Sequence, residues 1–374
     1  MRYYIVAGEA SGDLHGANLL KNLKLQDTNA VFQGWGGSRM QSEGMQLHKH
    51  YRELAFMGFW EVVKNLNTIL KNFSAVKKDI LDFEPDVVIL IDYPGFNLRL
   101  AKWLKANKIK VFYYISPQLW AWKESRVEQV RKYVDRMFCI IPFEKEFYAK
   151  HGIEVDFVGH PLLDAIQQSS AQNNFFQQLG LNENTSIVAL LPGSREQEIK
   201  RMLPLMAKMA INFQNLHFVV AGLDYLGYEF YQKLLPKQHN ISVVINNTYA
   251  LLSNSKAALV TSGTATLETA LHNVPQVVCY KGGLLSYYIG KWLIKVPYIS
   301  LVNLICRKQV VTELIQQDYN EESLYRNLLQ LFDENYRNEM LIAYTELKNI
   351  LGGTGASEKA AKLMWKYLQQ TKNT

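Results

Sequence analysis

Residues 86–92 read DVVILID, five consecutive apolar residues between two aspartates. A strand with one wet face alternates apolar and polar residues, whereas an unbroken run of Val, Ile and Leu belongs to a strand covered on both faces. The chain repeats this pattern. YYIVAG, VFQGWGG, KVFYYIS, RMFCIIP and VDFVGHP share the first half with it, and SIVALLPGS, LHFVVAG, ISVVI, AALVTSG and QVVCYKG follow in the second. Segments of helical length and period separate the runs. Strand–helix–strand alternation implies right-handed βαβ units and parallel sheets. The fold class is therefore α/β.

A chain of 374 residues exceeds one ordinary domain, so two doubly wound, Rossmann-like parallel-sheet domains are expected. The Gln/Asn/Ser-rich stretch 162–185 marks the boundary, placing domains at 1–165 and 166–345. Beyond Gln309 only helical patterns are evident. The last of them, 346–374, forms a C-terminal helical segment expected to pack back toward the first domain.

Composition removes several classes. Cys139, Cys279 and Cys306 lie far apart with no C-x-x-C pairing, which points to free thiols rather than zinc ligands or disulfides. A strand begins almost at Met1, leaving no room for a signal peptide. The most membrane-like stretch, 284–305, is interrupted by Lys291, Lys295 and Pro297, short of the roughly 20 apolar residues that a span needs. A net charge of +7 favours an anionic partner.

In open parallel sheets ligands bind beyond the carboxyl ends of the strands. LLPGSREQEI, 190–199, places Ser194 and Arg195 after the first strand of the second domain. Arg195 can fork onto phosphate oxygens, or simply pair Glu196 or Glu198 on a strand-to-helix turn. At 261–266 the chain reads TSGTAT, small residues whose N–H groups can crowd a diphosphate at a helix N-terminus. Glu268 follows, expected on that helix's first turn and placed for ribose hydroxyls; a well-capped buried helix is the plainer alternative. The two loops, aimed at one crevice, favour the nucleotide reading.

Asp92 ends the central strand of the first domain before Tyr93-Pro94-Gly95. It is a candidate general base or a turn former. Trp120 and Trp122 offer a hydrophobic wall or helix packing. The segment 53–78 carries Phe56, Met57, Phe59, Trp60, Val63, Leu66, Ile69 and Leu70 among lysines, which suits an acyl-chain pocket or an interfacial membrane contact, or else a core helix. The opening GEASGDLHG has the glycines of a phosphate loop, but Glu9 and Asp13 would repel a diphosphate and the P-loop lysine is missing.

In order along the chain, GEASGDLHG, MGFWEVV, IDYPGFN, YYISPQLWAW, PFEKEFY, FVGHPLLD, LLPGSR, TSGTATLE and PYISLVNLI resemble the motifs of lipid-A-disaccharide synthases, from residue 4 to about residue 315. The resemblance implies a GT-B glycosyltransferase with its active site in the cleft between two domains. Such an enzyme joins UDP-2,3-diacylglucosamine to 2,3-diacylglucosamine 1-phosphate, releasing UDP and forming a β-1,6-linked disaccharide. It implies work at the cytoplasmic face of the inner membrane of Gram-negative bacteria, peripherally bound, with no cofactor, metal or nucleic acid. A homodimer remains open.

By motif, Ser194, Arg195, Ser262, Gly263, Thr264, Ala265, Thr266, Glu268 and Asn303 would take UDP. Asp92 and, in reserve, Glu9 would be catalytic. Gly8, Ser11, Asp13, Trp120 and Trp122 would stand on the acceptor side, with the glycines admitting a sugar close to the backbone. Where relatives read LPN this chain has Leu301-Val302-Asn303, and Gly95 replaces a second acid found in some of them, narrowing the base in that motif to Asp92. The rivals are weaker. A sugar-nucleotide epimerase shares the architecture but needs no acyl pocket, no G-x-G-x-x-G marks a dehydrogenase, and a plain membrane or nucleic-acid binding module leaves both loops unexplained.

Overall fold

The computed structural model describes residues 1–54, 66–122, 124–168, 174–282 and 297–372. The chain divides into two compact units, one of Met1–Ala165 with the C-terminal stretch from Leu351, the other of Ile166–Ile350.

The first unit is built on seven parallel strands: β1 (Arg2–Ala7), β2 (Val31–Gly36), β3 (Gln46–His50), β4 (Val87–Ile91), β5 (Val111–Tyr114), β6 (Arg136–Cys139) and β7 (Asp156–Phe157). They are ordered β3-β2-β1-β4-β5-β6-β7. The second has β8 (Ile187–Leu191), β9 (His217–Gly222), β10 (Ile241–Ile245), β11 (Ser255–Thr261), β12 (Gln276–Tyr280) and β13 (Thr312–Ile315), ordered β10-β9-β8-β11-β12-β13. Both sheets run outward from their first strand in one direction and then restart on its other side. That reversal leaves a crevice at the carboxyl ends of β1 and β4 in one unit, and of β8 and β11 in the other.

Burial follows from the sequence runs. Every residue of β4, β8 and β9 is buried, as a strand sandwiched between helix layers requires. Two strands were not visible in the sequence. QLHKH forms β3 and TELI forms β13, which corrects the expectation that only helices follow Gln309. Both are edge strands with half-exposed, polar-studded faces, so they lack the continuous apolar run that marks the central ones.

The helix Glu334–Ile350 belongs to the second unit, so the chain returns to the first at Leu351 rather than at residue 346. The returning helix, Ala356–Lys372, packs on the helix Ala10–Gln26 through Ala360, Ala361, Met364 and Leu368, a stripe at helical spacing. Its entry is fixed by Asp164, whose two carboxylate oxygens accept the Gly355 and Ser357 N–H groups at 2.6 and 2.8 Å. Tyr367 donates to Asp156 at 3.0 Å, and Arg136 stacks on its ring at 4.0 Å.

Phe56, Met57, Phe59, Trp60 and Val63 lie outside the described residues. Leu66 opens the helix Leu66–Phe83, and Ile69 lies on it. On the same helix Val76, Ile80 and Phe83 are core, whereas Leu70 is 58% exposed. Among the described residues no helix is long and apolar enough to cross a membrane.

Removing the Asp164 cap leaves two N–H donors without their acceptor, the Ser357 one buried and the Gly355 one half-buried. Asp164→Ala is expected to destabilise the first unit by about 0.5–2 kcal/mol, seen as a lower thermal midpoint; an unchanged melt would mean that the cap does not hold this helix.

Candidate active site

In the first unit, β1 and β4 pair with Ala7 opposite Ile91, so Gly8-Glu9 and Asp92-Tyr93 emerge side by side. Asp92 and Tyr93 both adopt left-handed backbone conformations, φ 44° and 50°. For residues with a Cβ such conformations cost on the order of 1–3 kcal/mol each and gather at functional sites. Two buried side chains hold them. Asn97 donates its amide to the Ile91 and Asp92 carbonyls at 3.2 and 2.8 Å, and the Tyr113 hydroxyl donates to the Asp92 carbonyl at 2.6 Å. Burial, and secondly the Glu9 charge, push the Asp92 carboxyl up to about 7. A carboxyl tuned there can take and release a proton at neutral pH.

The opening segment is a helix start rather than a loop, since Ala10–Gln26 is helical with Glu9 as its N-cap. Its glycines serve packing. A Cβ on Gly8 would sit 2.4 Å from the Tyr93 ring, so the glycine admits Tyr93 and not a sugar. Ser11 is half-buried in the first turn. Asp13 corrects the reading of an acid aimed at substrate. It is 4% exposed, and its carboxylate accepts the Arg39 and Met40 N–H groups at 3.2 and 3.0 Å. It is an anchor for the helix Ser38–Ser42.

Trp120 is half-buried, edge-on to Phe143 with ring centres 4.8 Å apart, and its indole N–H points at Glu144 at 3.4 Å. The side chain of Trp122 lies outside the described residues.

In the second unit β8 and β11 pair with Leu191 opposite Val260, so the Pro192–Arg195 loop and the Ser262–Thr266 loop emerge together. Gly193 has φ 115°, and a Cβ there would meet a Glu198 carboxylate oxygen at 2.1 Å. Glu198 folds under the loop and accepts the Ser194 N–H at 3.0 Å, while Tyr225 donates to the Ser194 carbonyl at 2.8 Å. Burial raises the Glu198 carboxyl, opposed by these N–H groups and by Arg195. Ser194 and Arg195 are exposed at the N-terminus of the helix Glu196–Asn212.

The helix Thr264–Leu271 begins at Gly263 with no side chain capping it, and Gly263 and Thr264 are exposed. Two hydroxyls of this loop are turned to the protein: Ser262 donates to the Ile299 carbonyl at 3.0 Å and Thr266 to the Gly263 carbonyl at 2.8 Å. What this N-terminus presents is backbone N–H, including that of Ala265, with the positive end of the helix dipole. Glu268 is the fifth residue of the helix and so lies on its second turn, which corrects the first-turn placement. Tyr249 donates to its carboxylate at 3.1 Å.

Asn303 is corrected as a nucleotide contact, because its amide is fully used. It is 0% exposed, donates to the Val311 carbonyl and to Glu313 at 2.9 Å, and accepts the Val310 and Val311 N–H groups at 2.7 and 2.9 Å. Asn97, Tyr113, Glu144, Glu198 and Tyr249 went unassigned in the sequence. Tyr113, Glu144 and Tyr249 reach partners 21, 24 and 19 residues away, which no local pattern marks, whereas Asn97 and Glu198 tie backbone within six residues of themselves.

The family model described as lipid-A-disaccharide synthetase matches residues 3–364. The chain belongs to the lipid-A-disaccharide synthase family. It is 41% identical over 364 residues to the lipid-A-disaccharide synthase of Syntrophus aciditrophicus, covering 96% of this chain and 95% of that one. To the Coxiella burnetii (strain Dugway 5J108-111) enzyme of the same name it is 37% identical over 365 residues, covering 96% of each. Among solved structures, UDP-GlcNAc 2-epimerase from Neisseria meningitidis bound to UDP-GlcNAc matches with a TM-score of 0.69 at 15% identity, covering 98% of this chain and all of that one. At that identity the likeness shows the fold alone, which is GT-B; the family separates transferase from epimerase. Lipid-A-disaccharide synthases are hexosyltransferases, and this chain is a glycosyltransferase of lipid A biosynthesis.

Replacing Asn303 with Ala strands the Val310 and Val311 N–H groups and the Val311 carbonyl, while Glu313 keeps the Ile299 and Ser300 N–H groups. A loss of about 1–3 kcal/mol in second-unit stability is expected, measured by urea unfolding, with UDP affinity per folded molecule unchanged by calorimetry. A selective loss of UDP affinity would restore Asn303 as a ligand contact.

Proposed function

We propose that this chain transfers the diacylglucosaminyl group of UDP-2,3-diacylglucosamine to the 6-hydroxyl of 2,3-diacylglucosamine 1-phosphate in one inverting displacement. The Asp92 carboxylate takes the hydroxyl proton. The oxygen's electron pair forms the new bond to the anomeric carbon, and the bond to UDP breaks with its electrons leaving on the diphosphate. The observation that carries this reading is Asp92 itself, fixed in a strained turn beside Glu9 with its carboxyl pushed up to about 7. Such a group is ionised in a useful fraction at neutral pH and is a stronger base than an ordinary aspartate.

On the donor side, Arg195 and the uncapped N-terminus at Gly263–Thr266 receive the charge of departing UDP. Electrostatic contacts of this kind are worth ~2.7–4 kcal/mol for a single donor. Glu268, steadied by Tyr249, takes the ribose hydroxyls. Ser194 shapes its loop through its backbone N–H and carbonyl, and Ser262 through its hydroxyl on the Ile299 carbonyl. Glu9 sets the field at Asp92, and Ser11 and Trp120 frame the acceptor side. The reading uses no cofactor, metal or nucleic acid. The apolar sequence of 56–70 supports uptake of acyl chains at the cytoplasmic face of the inner membrane, and a homodimer is compatible with it.

With the two acylated sugars as substrates, UDP and disaccharide followed by mass spectrometry test the reaction. Asp92→Asn is expected to lower kcat roughly 10²–10⁴-fold with UDP affinity intact; near-normal turnover would remove Asp92 as the base. Because the base works ionised and its pKa is raised, wild-type kcat/KM should rise with pH through about 7 and level off above. A profile flat from pH 5 to 8 would contradict that tuning.

A further inference from the structure

Beyond the ends of the central strands of the first unit lies a pocket of about 200 Å3. Its polar wall is Asp92, Ser116, Gln118 and Glu144, and its apolar wall includes Ile115 and Ile141. Three features set it apart from a surface dimple.

The backbone around it is strained. Ile115 has φ 65°, a left-handed conformation that a β-branched residue rarely takes, and it stands beside the similarly strained Asp92 and Tyr93.

Glu144 is 0% exposed although it lines the pocket. It is the third residue of the helix Pro142–Lys150 and accepts the Ile141 N–H at 3.1 Å and the Trp120 indole N–H at 3.4 Å. The Ser116 hydroxyl and the Ile140 N–H also bear on its carboxyl, and in the protonated state it has one O–H to donate. Burial pushes its carboxyl up to about 8, so at neutral pH it keeps a proton that it can donate. A glutamate needed only to cap the helix would do so equally well at the surface, ionised and wet.

Gln118 is exposed, and its amide has no hydrogen-bond partner among the described residues. Ser116, in contrast, is engaged, with its hydroxyl 2.8 Å from that of Tyr148.

An apolar wall faced by a few separated donors and acceptors suits a pyranose, which presents C–H faces and a hydroxyl edge. We propose that this pocket is the acceptor-sugar subsite, with the ring against Ile115 and Ile141, its hydroxyls on Gln118 and Glu144, and the attacking hydroxyl on Asp92. This assignment rests on the hexosyl-transfer reading and adds Gln118 and Glu144 as its specificity contacts. Trp120 stands behind this wall, its indole N–H on Glu144.

The test is steady-state kinetics of the full chain, varying 2,3-diacylglucosamine 1-phosphate and UDP-2,3-diacylglucosamine separately. Gln118→Ala, an exposed and fold-neutral change, should raise KM for the acceptor about tenfold and leave KM for the donor unchanged. Glu144→Gln should also raise the acceptor KM, with its thermal midpoint and UDP affinity measured as fold controls. If Glu144→Gln fails to fold, Gln118→Ala decides alone. An unchanged acceptor KM in Gln118→Ala, or an equal rise in both KM values, overturns the subsite while the hexosyl-transfer reading stands. Failure of the wild-type chain to form disaccharide at all sinks that reading, and the subsite with it.

Discussion

The chemistry of the first unit depends on one strand pairing, β1 beside β4 with Ala7 opposite Ile91. Parallel neighbours end at the same edge of a sheet, so the residues that follow them are brought together however far apart they lie in the chain. Here those residues are Glu9 and Asp92; burial first, and the Glu9 charge second, raise the Asp92 carboxyl toward neutrality. The geometry opposes local backbone preference. Two consecutive left-handed residues with side chains persist because Asn97 and Tyr113, both buried, grip the Ile91 and Asp92 carbonyls. Strain that costs stability at this turn is offset by hydrogen bonds whose partners come from the following helix and the neighbouring strand.

The second unit repeats the strand order around β8 and β11 and presents the opposite chemistry. The loop after β11 offers backbone N–H groups at an uncapped helix start and no acid before Glu268. The half-buried Glu198 is folded beneath Gly193 and spent on the Ser194 N–H. A unit whose crevice bears carboxyls suits proton removal from a hydroxyl, and one whose crevice bears N–H groups and Arg195 suits a diphosphate. The same doubly wound sheet serves both because the strand ends, not the sheet, carry the chemistry.

Much of the architecture was legible because central parallel strands must be apolar on both faces, and that leaves an unbroken signature. The edge strands β3 and β13 leave no such mark, and both were missed. The place of Asp92 at the end of β4 was legible because it closes an apolar run. Asp13 and Asn303 were misread for a shared reason: polar residues inside a motif can be structural ties, and only their partners, Arg39 and Met40 or Val310 and Val311, reveal it. The GEASGD segment looked like a loop because of its glycines, yet Gly8 is there to accept the Tyr93 ring. Glu144, 28 residues beyond Ser116 in sequence but on the same pocket wall, was beyond any local pattern.

The central claim is that Asp92 is a carboxyl tuned by burial and by Glu9. It is tested most directly by titrating the chain with ¹³C-labelled aspartate side chains and following the carboxyl resonances by NMR. One aspartate should titrate near pH 7, vanish in Asp92→Asn, and move to lower pH in Glu9→Gln. If every aspartate titrates below about pH 5, in the ordinary carboxylate range, Asp92 is not the poised base of this site.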